Sequence, residues 1–175
     1  AQESASNLFS GLVILLDKPF SVGDWIKVGS VEGEVIDINF RSTRIRSSDK
    51  TINVVTNSTI CSSTVQNAAL RTMRPYKFHL GVTYGTTRPQ LEKLMADLQA
   101  MLDNSPYTSK GSNIVRLAGF GDSSIDILVS AYLTTNAYAE FLQMQNDLNL
   151  NIMDIMQADG VEFAFPSTSV YLEKN

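Results

Sequence analysis

The chain has 175 residues, of which 43% are hydrophobic and 18% charged, and its formal net charge is −4. This apolar share excludes a bundle of membrane-spanning helices, and the single cysteine, Cys61, excludes an internal disulfide and a cysteine-based metal cluster. Up to Arg74 there are eight Lys/Arg against seven Asp/Glu (net +1), and beyond it six against eleven (net −5), so the acidic second half disfavours binding to a phosphate backbone.

A short amphipathic helix is predicted from about residue 4 to residue 18. Its apolar residues recur at helical spacing, and small residues form another face: Leu8, Leu12, Leu15 and Leu16 against Ser6, Ser10 and Gly11. The helix has no start signal, so we expect it to be the end of a longer one. Its longest apolar run, residues 12–16, is far shorter than the roughly 20 residues of a membrane span. Two interpretations stay open, because the helix either packs on its own domain or lets identical helices approach around an axis.

The helix is predicted to end abruptly on a β-domain. Pro19 cannot continue a helix, Gly23 and Asp24 form a turn, and Trp25 opens a strand. We expect Trp25 to lie partly buried where the helix meets the β-domain. We also expect the segment from Leu8 to Leu16 to drive association between chains or to contact detergent.

Residues 19–74 read as five short strands of a small closed or half-open barrel. Gly33 marks a bend or bulge, and the carboxylates of Glu32 and Glu34 are expected on a solvated face. Three arginines lie close together on one predicted strand, Arg41, Arg44 and Arg46. A nucleic-acid surface and a salt-bridged subunit surface are both considered for them, and the acidic neighbours favour the second.

Residues 75–175 show the order β-α-β-β-α-β of a ferredoxin-like α+β domain. A strand at 76–84 leads into a helix with a Thr87/Gln90 capping box and Pro89 in its first turn. Strands at 113–120 and 125–133 precede a long helix that Asn136 is expected to cap. A last strand is expected within 161–173. Off the main apolar stripe of the long helix lie Met144, Leu150 and Met153, which indicate either a second buried contact or scattered exposed residues.

No catalytic constellation is predicted. The lone histidine, His79, falls on the outer side of its strand, and Cys61 has only neutral, hydroxylic neighbours and therefore no base to activate it. The turn at 81–87 lacks the lysine of a phosphate-binding loop. We therefore expect no enzyme activity, no cofactor and no metal site.

Nearly the whole chain resembles the small-conductance mechanosensitive channel (MscS-like) family. The resemblance rests on spaced motifs: Ser6-Asn7-Leu8, Gly11, Pro19-Phe20, Gly23-Asp24, Gly33-x-Val35, Arg41-x-Thr43-x-Ile45-Arg46, Asp49, Asn57 and Gly160-Val161-x-Phe163-x-Phe165-Pro166. It implies that residues 1–18 are the end of a pore-lining helix, 19–74 an Sm-like β-domain and 75–175 the α/β domain. Two positions depart from the family pattern, since Thr56 stands where proline is usual and Glu3 where a small residue is frequent.

The resemblance implies a cytoplasmic vestibule, or cage, formed by a homo-oligomeric ring of seven chains that passes or filters ions and small solutes during osmotic-shock release. A membrane region preceding the chain would anchor it in the cell (inner) membrane, and no nucleic acid would be bound. The implied site residues fall into three groups. They are the pore-helix end (Ser6, Asn7, Leu8, Ser10, Gly11), the helix–barrel junction (Pro19, Phe20, Gly23, Asp24, Trp25) and a subunit or barrel face (Arg41, Arg44, Arg46, Asn57). The alternative is a regulatory or RNA-binding module that combines a small barrel with a ferredoxin-like domain.

Overall fold

The computed structural model describes residues 2–168 and divides into two compact units, the first ending at Arg71 and the second beginning at Thr72. The first unit joins helix α1 (Gln2–Asp17) to a five-stranded antiparallel sheet. Its strands lie in the order β4-β3-β2-β1-β5, with bounds β1 (Trp25–Val28), β2 (Val31–Ile38), β3 (Ser42–Arg46), β4 (Ile52–Thr56) and β5 (Val65–Asn67). Helix α2 (Asn57–Ser62), which the sequence pattern did not predict, and a 3₁₀ turn (Ala68–Leu70) flank β5.

Alternation along the strands builds the core of the first unit. Inward-facing residues of β1, β2 and β3 are buried, as are one residue of each helix and the phenylalanine that follows α1. This core contains Ile14, Phe20, Ile26, Val28, Val35, Ile45 and Ile60. Helix α1 is thus an integral part of the first unit, because Ile14 and the β-strands share one apolar cluster.

The irregularity of β2 does not lie at Gly33, where a bend or bulge was predicted. Gly33 pairs regularly with Ile26, and the register shift falls between Val35 and Asp37. Glycine is needed at position 33 for another reason. A Cβ there would lie 2.2 Å from the Arg46 carbonyl oxygen, so the absence of a side chain lets the backbone that follows β3 approach β2.

The second unit has two layers. Strands β6 (Arg74–Val82), β7 (Ile114–Phe120) and β8 (Ile125–Leu133) form an antiparallel sheet in the order β6-β8-β7. Helices α3 (Arg88–Asn104) and α4 (Tyr138–Ala158) share one core with one face of this sheet. The predicted order is therefore confirmed from the first strand to the second helix. The capping box at the start of α3 is also present, since the Thr87 amide donates to Gln90 Oε1 at 2.9 Å.

Three details of the second unit differ from the predictions. Ala137, not Asn136, occupies the N-cap position of α4, and Thr135 Oγ1 accepts a hydrogen bond from the Ala137 amide at 3.1 Å. Met144 belongs to the core, whereas Leu150 and Met153 are exposed. The predicted last strand is reduced to a single bridge between Val82 and Phe163 in the described part of the chain, and residues 169–173 of that prediction lie outside the described residues.

Helix α1 approaches the sheet most closely at Gly11. A Cβ on this glycine would lie 2.6 Å from the Phe40 carbonyl oxygen and 2.7 Å from Asn57 Nδ2. The first contact is with backbone, which cannot rotate away as a side chain can. Glycine is therefore needed at position 11 because a side chain would not fit, and not because of its backbone freedom. This close contact sets the distance between α1 and the sheet.

Strand β4 ends at Thr56 in a conformation that suits proline. Its φ is −66°, which matches the angle that a proline ring imposes. The Asn57 amide donates to the Arg41 carbonyl, so the neighbouring Ser42–Thr56 pair is a non-hydrogen-bonded pair and the Thr56 N–H points away from β3. The strand does not continue past this residue, because α2 begins at Asn57.

We expect Gly11→Ala to lower the free energy of unfolding by about 1–3 kcal/mol, since the added methyl group forces helix and sheet apart. Chemical denaturation of the chain measures this change. Ser6→Ala, on an exposed position of the same helix, is the control and should change stability by no more than about 0.5 kcal/mol. A stabilised Gly11→Ala chain would contradict the close contact, because alanine by itself favours a helix over glycine.

We expect Thr56→Pro to be tolerated and to stabilise the chain by about 0.4–1 kcal/mol, because it restricts the unfolded state at a compatible φ. Thermal and chemical unfolding provide the measurement. Val55→Pro is the matched comparison, since the Val55 N–H belongs to the hydrogen-bonded pair with Thr43 and its loss should destabilise strongly. Equal effects at both positions would refute the assigned hydrogen-bond register.

Candidate functional site

The two faces of helix α1 have different environments. Its small and polar residues, Asn7, Ser10 and Gly11, are buried against the β-domain together with Ile14. Of the residues predicted to pack at the pore-helix end, only Ser6 and Leu8 remain exposed. The small-residue face is therefore used within the chain, because the close approach at Gly11 leaves no room for a second helix there.

A buried asparagine organises the contact between α1 and the sheet. Asn57, at the start of α2, is fully buried, and its Nδ2 donates to the carbonyl oxygens of Asn39 at 2.8 Å and Phe40 at 3.0 Å. Its Oδ1 accepts from Thr43 Oγ1 at 3.0 Å. The amide thus satisfies its own buried polar atoms and two backbone carbonyls of the β2–β3 connection, which would otherwise be costly to bury.

A second asparagine ties α1 directly to α2. Asn7 is 3% exposed, and its Oδ1 accepts a hydrogen bond from the Ser58 amide at 3.0 Å. This bond satisfies one of the free N–H groups at the start of α2. Asn57 was predicted together with the arginines of β3, but the structure places it with Asn7 and Gly11 in one contact between helix and sheet.

The helix end forms a compact junction. Lys18 has a φ of +46°, and its amide still donates to the Ile14 carbonyl at 3.0 Å, which closes the last turn of α1. Pro19 then prevents the helix from continuing. Phe20 is 1% exposed and anchors the junction in the core.

Asp24 and Asn67 hold the loop that follows. Asp24 Oδ2 accepts hydrogen bonds from the Ser21 amide and from Asn67 Nδ2, both at 2.9 Å, and Asn67 Nδ2 also donates to the Pro19 carbonyl. Gly23 adopts a φ of +98° that favours glycine, and its amide donates to Val35 O at 2.7 Å. The structure thus brings the predicted junction residues Pro19, Gly23 and Asp24 together. Asn67 completes the junction and was missed, because nothing local in its sequence indicates this long-range contact.

Trp25 lies on the β1–β2 hairpin. Its side chain is 37% exposed, and its Nε1 donates to Glu32 Oε1 at 3.0 Å. This agrees with the expected partial burial, although the described contacts of its ring nitrogen are with β2 and not with α1. Glu32 therefore has a structural partner on an otherwise solvated face.

The three predicted arginines do not form one cluster. Arg46 Nη2 contacts Glu34 Oε2 at 2.8 Å, a half-exposed ion pair worth at most about 1 kcal/mol. Arg44 pairs across the strands with Asp37 in the sheet register, and Arg41 is exposed. At the β3–β4 turn, the hydrogen bond from the Thr51 amide holds the pKa of Asp49 below its usual value. Of the three arginines, Arg46 is the one for which an ion pair within the described part of the chain is present.

The outward face of α1 is apolar. Its side chains are about half exposed or more, with 68% for Phe9 and 72% for Leu16. Beside the helix lies a groove of about 380 Å³ that is almost entirely apolar and is lined by Ala5, Leu8, Phe9, Leu12, Leu15 and Phe40. A continuous exposed apolar surface of this kind marks an interaction site. We call the residues Leu8, Phe9, Leu12, Leu15 and Leu16 the outer face of α1.

Within residues 2–168, no group of three or more His, Cys, Asp or Glu side chains is arranged to hold a metal ion. His79 is exposed on its strand, as predicted. Cys61 is also exposed, and its Sγ lies 3.6 Å from the Ser10 carbonyl oxygen. Over the same described range, no helix combines the length and apolarity that crossing a membrane requires.

Comparison with protein families gives two matches in chain order. A family model described as the mechanosensitive ion channel β-domain matches residues 3–70. A second, described as the C-terminal part of the mechanosensitive ion channel MscS, matches residues 76–163. The two matches together cover the helix, the β-domain and most of the second unit.

Curated relatives align over almost the entire chain. An uncharacterised MscS family protein of Aquifex aeolicus is 42% identical over 175 residues, covering 99% of this chain and 48% of the relative. The small-conductance mechanosensitive channel MscMJ of Methanocaldococcus jannaschii is 33% identical, covering 99% of this chain and 49% of that protein. The chain thus spans about half the length of the curated relatives that it matches.

The fold is also that of a solved structure. The closed-state crystal structure of Helicobacter pylori MscS matches with a TM-score of 0.81 and 21% identity, covering 99% of this chain and 67% of that one. This likeness concerns the fold alone. The family matches and the relatives carry the assignment further: the chain belongs to the MscS family of mechanosensitive ion channels.

Proposed function

We propose that this chain is the cytoplasmic vestibule of a mechanosensitive channel, in which residues 1–18 are the end of the pore-lining helix. Copies of the chain assemble into a ring of seven through which ions and small solutes pass or are filtered during osmotic-shock release. The chain is a passive conduit without catalysis, and the membrane region that responds to tension precedes it. Its tasks are assembly, filtering and coupling of the helix to the β-domain.

The observation that carries this proposal is the outer face of α1. The inner face of the same helix is locked on the β-domain through Asn7 and Gly11, so the apolar residues cannot turn inward. A helix held in this way presents its leucines outward, where neighbouring copies or the membrane border are the partners that cover apolar side chains. The sequence pattern left open a contact between identical helices through their small residues. In the ring proposed here, the leucines make the contact between copies instead.

The β-domain supplies further surface for a ring. Ile52 and Val54 lie on β4, at one edge of the five-stranded sheet, and are 54% and 61% exposed. Strand β5 forms the opposite edge of the same sheet. A closed ring needs two different, complementary surfaces on each copy, and two unlike edges of one sheet meet that requirement.

The contact between α1 and the β-domain provides the physical basis for coupling the pore helix to the β-domain. The Gly11 contact is with backbone, and the Asn7 and Asn57 side chains connect α1, α2 and the β2–β3 connection. Moving α1 would leave these buried polar groups without partners. A displacement of the pore helix is therefore transmitted to the β-domain and does not dissipate at a flexible joint.

We expect the purified chain to form a particle of about seven subunits in light scattering across a dilution series, with the outer face of α1 contributing to assembly. Leu12→Gln combined with Leu16→Gln should shift the mass toward the monomer, because glutamine keeps the helix propensity but removes the apolar contact. The mass and the far-ultraviolet circular dichroism of each sample are measured together.

Phe120→Ser serves as the control, since Phe120 is 73% exposed and belongs to the second unit, whereas α1 belongs to the first. It should leave the mass unchanged. A wild-type chain that stays monomeric at all concentrations and binds RNA with a salt-dependent affinity would contradict the proposed function and favour the RNA-binding alternative.

A further inference from the structure

Among the described residues of the second unit, the helices cover one side of the sheet. Buried side chains of β8 alternate with half-exposed ones, and the buried set faces α3 and α4. The register places His79, Leu128 and Arg116 side by side across the three strands, with Lys77, Ser130 and Ile114 in the next row. These residues therefore share the other side of the sheet, which we call the open sheet face.

The open sheet face combines apolar and cationic side chains. Leu128 lies at its centre and is half-buried, while Ile114 and Tyr132 are 46% and 48% exposed. Lys77 and Arg116 lie on the two outer strands, where both are exposed. The carboxylate of Asp126, toward one end of this face, is hydrogen-bonded to Ser124 Oγ at 2.7 Å. The face thus carries apolar side chains on β7 and β8 and a positively charged side chain on each of the two outer strands.

Helix α4 carries an exposed apolar surface with an acidic side chain, Asp154, beside it. Opposite its core residues, a stripe follows helical spacing, and its apolar members Leu142, Leu150 and Met153 are 44%, 53% and 55% exposed. Helix α4 contains Glu140, Asp147 and Asp154 and neither lysine nor arginine. We call Leu142, Asn146, Leu150, Met153 and Gln157 the outer stripe of α4. Two of its members, Leu150 and Met153, are among the residues that the sequence pattern placed off the main apolar stripe.

We propose that the outer stripe of α4 docks on the open sheet face of a second copy of the chain. This inference rests on the proposed function and names surfaces through which neighbouring copies contact each other. The charges decide the pairing: an acidic helix fits a face flanked by Lys77 and Arg116, whereas two such helices or two such faces would repel each other. The contact joins two different surfaces, so it is heterologous and propagates from copy to copy as a ring requires.

The geometry of a docked helix agrees with this assignment. The sheet already packs its own helices on one side, and a neighbour's α4 on the other side would place Leu128 and Tyr132 in a layered apolar interior. On the helix, Leu150 and Met153 are three residues apart and lie on one face. Asp154 adjoins them and is exposed, so it can reach a cation at the border of the open sheet face.

Intermolecular disulfide formation tests the contact. In a Cys61→Ser background, Met153→Cys combined with Leu128→Cys should form a ladder of cross-linked dimers and larger species under mild oxidation. It should form at least about tenfold faster than in a control that combines Met153→Cys with Phe120→Cys, because docking raises the effective concentration of the thiols. Ile114→Cys in place of Leu128→Cys gives a second position on the same face, which covers the case that the Leu128 variant folds poorly.

Charge exchange tests the pairing in the same assay. Arg116→Glu should slow cross-linking by about tenfold through loss of steering, and adding Asp154→Arg to the same chain should restore the rate. Lys110→Glu, which changes the net charge equally at an exposed loop position, should have no comparable effect.

Light scattering of the same samples separates this inference from the proposed function. A particle of several subunits without a ladder at either sheet position would overturn the docking while leaving ring assembly intact. A monomer without a ladder would overturn both. Dimers formed by Met153→Cys alone, at the rate of the double variants, would also overturn the inference, because the helix would then face another helix.

Discussion

The first unit depends on how closely helix α1 approaches the β-domain at Gly11. A side chain at this position would collide with the Phe40 carbonyl and with Asn57. The contact distance is therefore set by the absence of one carbon atom. Asn57 fills the space beneath the glycine and satisfies carbonyl groups of the β2–β3 connection, so packing and hydrogen bonding support the same geometry.

This contact explains why α1 is apolar on the side that faces away from its own chain. The polar and small residues are needed inside, where Asn7 bonds to α2 and Gly11 meets backbone. The leucines are left outside, which reverses the usual arrangement of an amphipathic helix on a globular domain. Exposed apolar surface of this extent marks an interaction site, and this agrees with a family of membrane channels.

The second unit shows the same principle in another form. Its core lies on one side of the sheet, and two of the surfaces left outside differ in character: the open sheet face is flanked by Lys77 and Arg116, and the outer stripe of α4 is bordered by Asp154. Because their charges are opposite, a contact between two unlike surfaces is favoured over a contact between two like ones. The conduit and assembly role that we propose rests on such surfaces.

Local signals were sufficient for much of the architecture. Pro19 ended the helix, the Thr87/Gln90 pair started α3, and alternation identified the strands of both units, because caps, turns and periodicity act over a few residues. Local signals failed at Asn136, where Thr135 makes the capping contact, and at Gly33, where glycine serves an approach between strands. Neither helix α2 nor the role of Asn67 was predictable, since their partners lie far away in the chain.

The sequence by itself determined the order of most elements, the family resemblance and the presence of an abrupt junction between helix and β-domain. Only the tertiary structure decided which face of α1 is buried, that Asn57 belongs to the helix contact and not to the arginine face, and which residues of α4 stay outside. The physical reason is that an amphipathic pattern defines two faces but not their partners. The close backbone approach at Gly11, made between residues distant in sequence, selects between them.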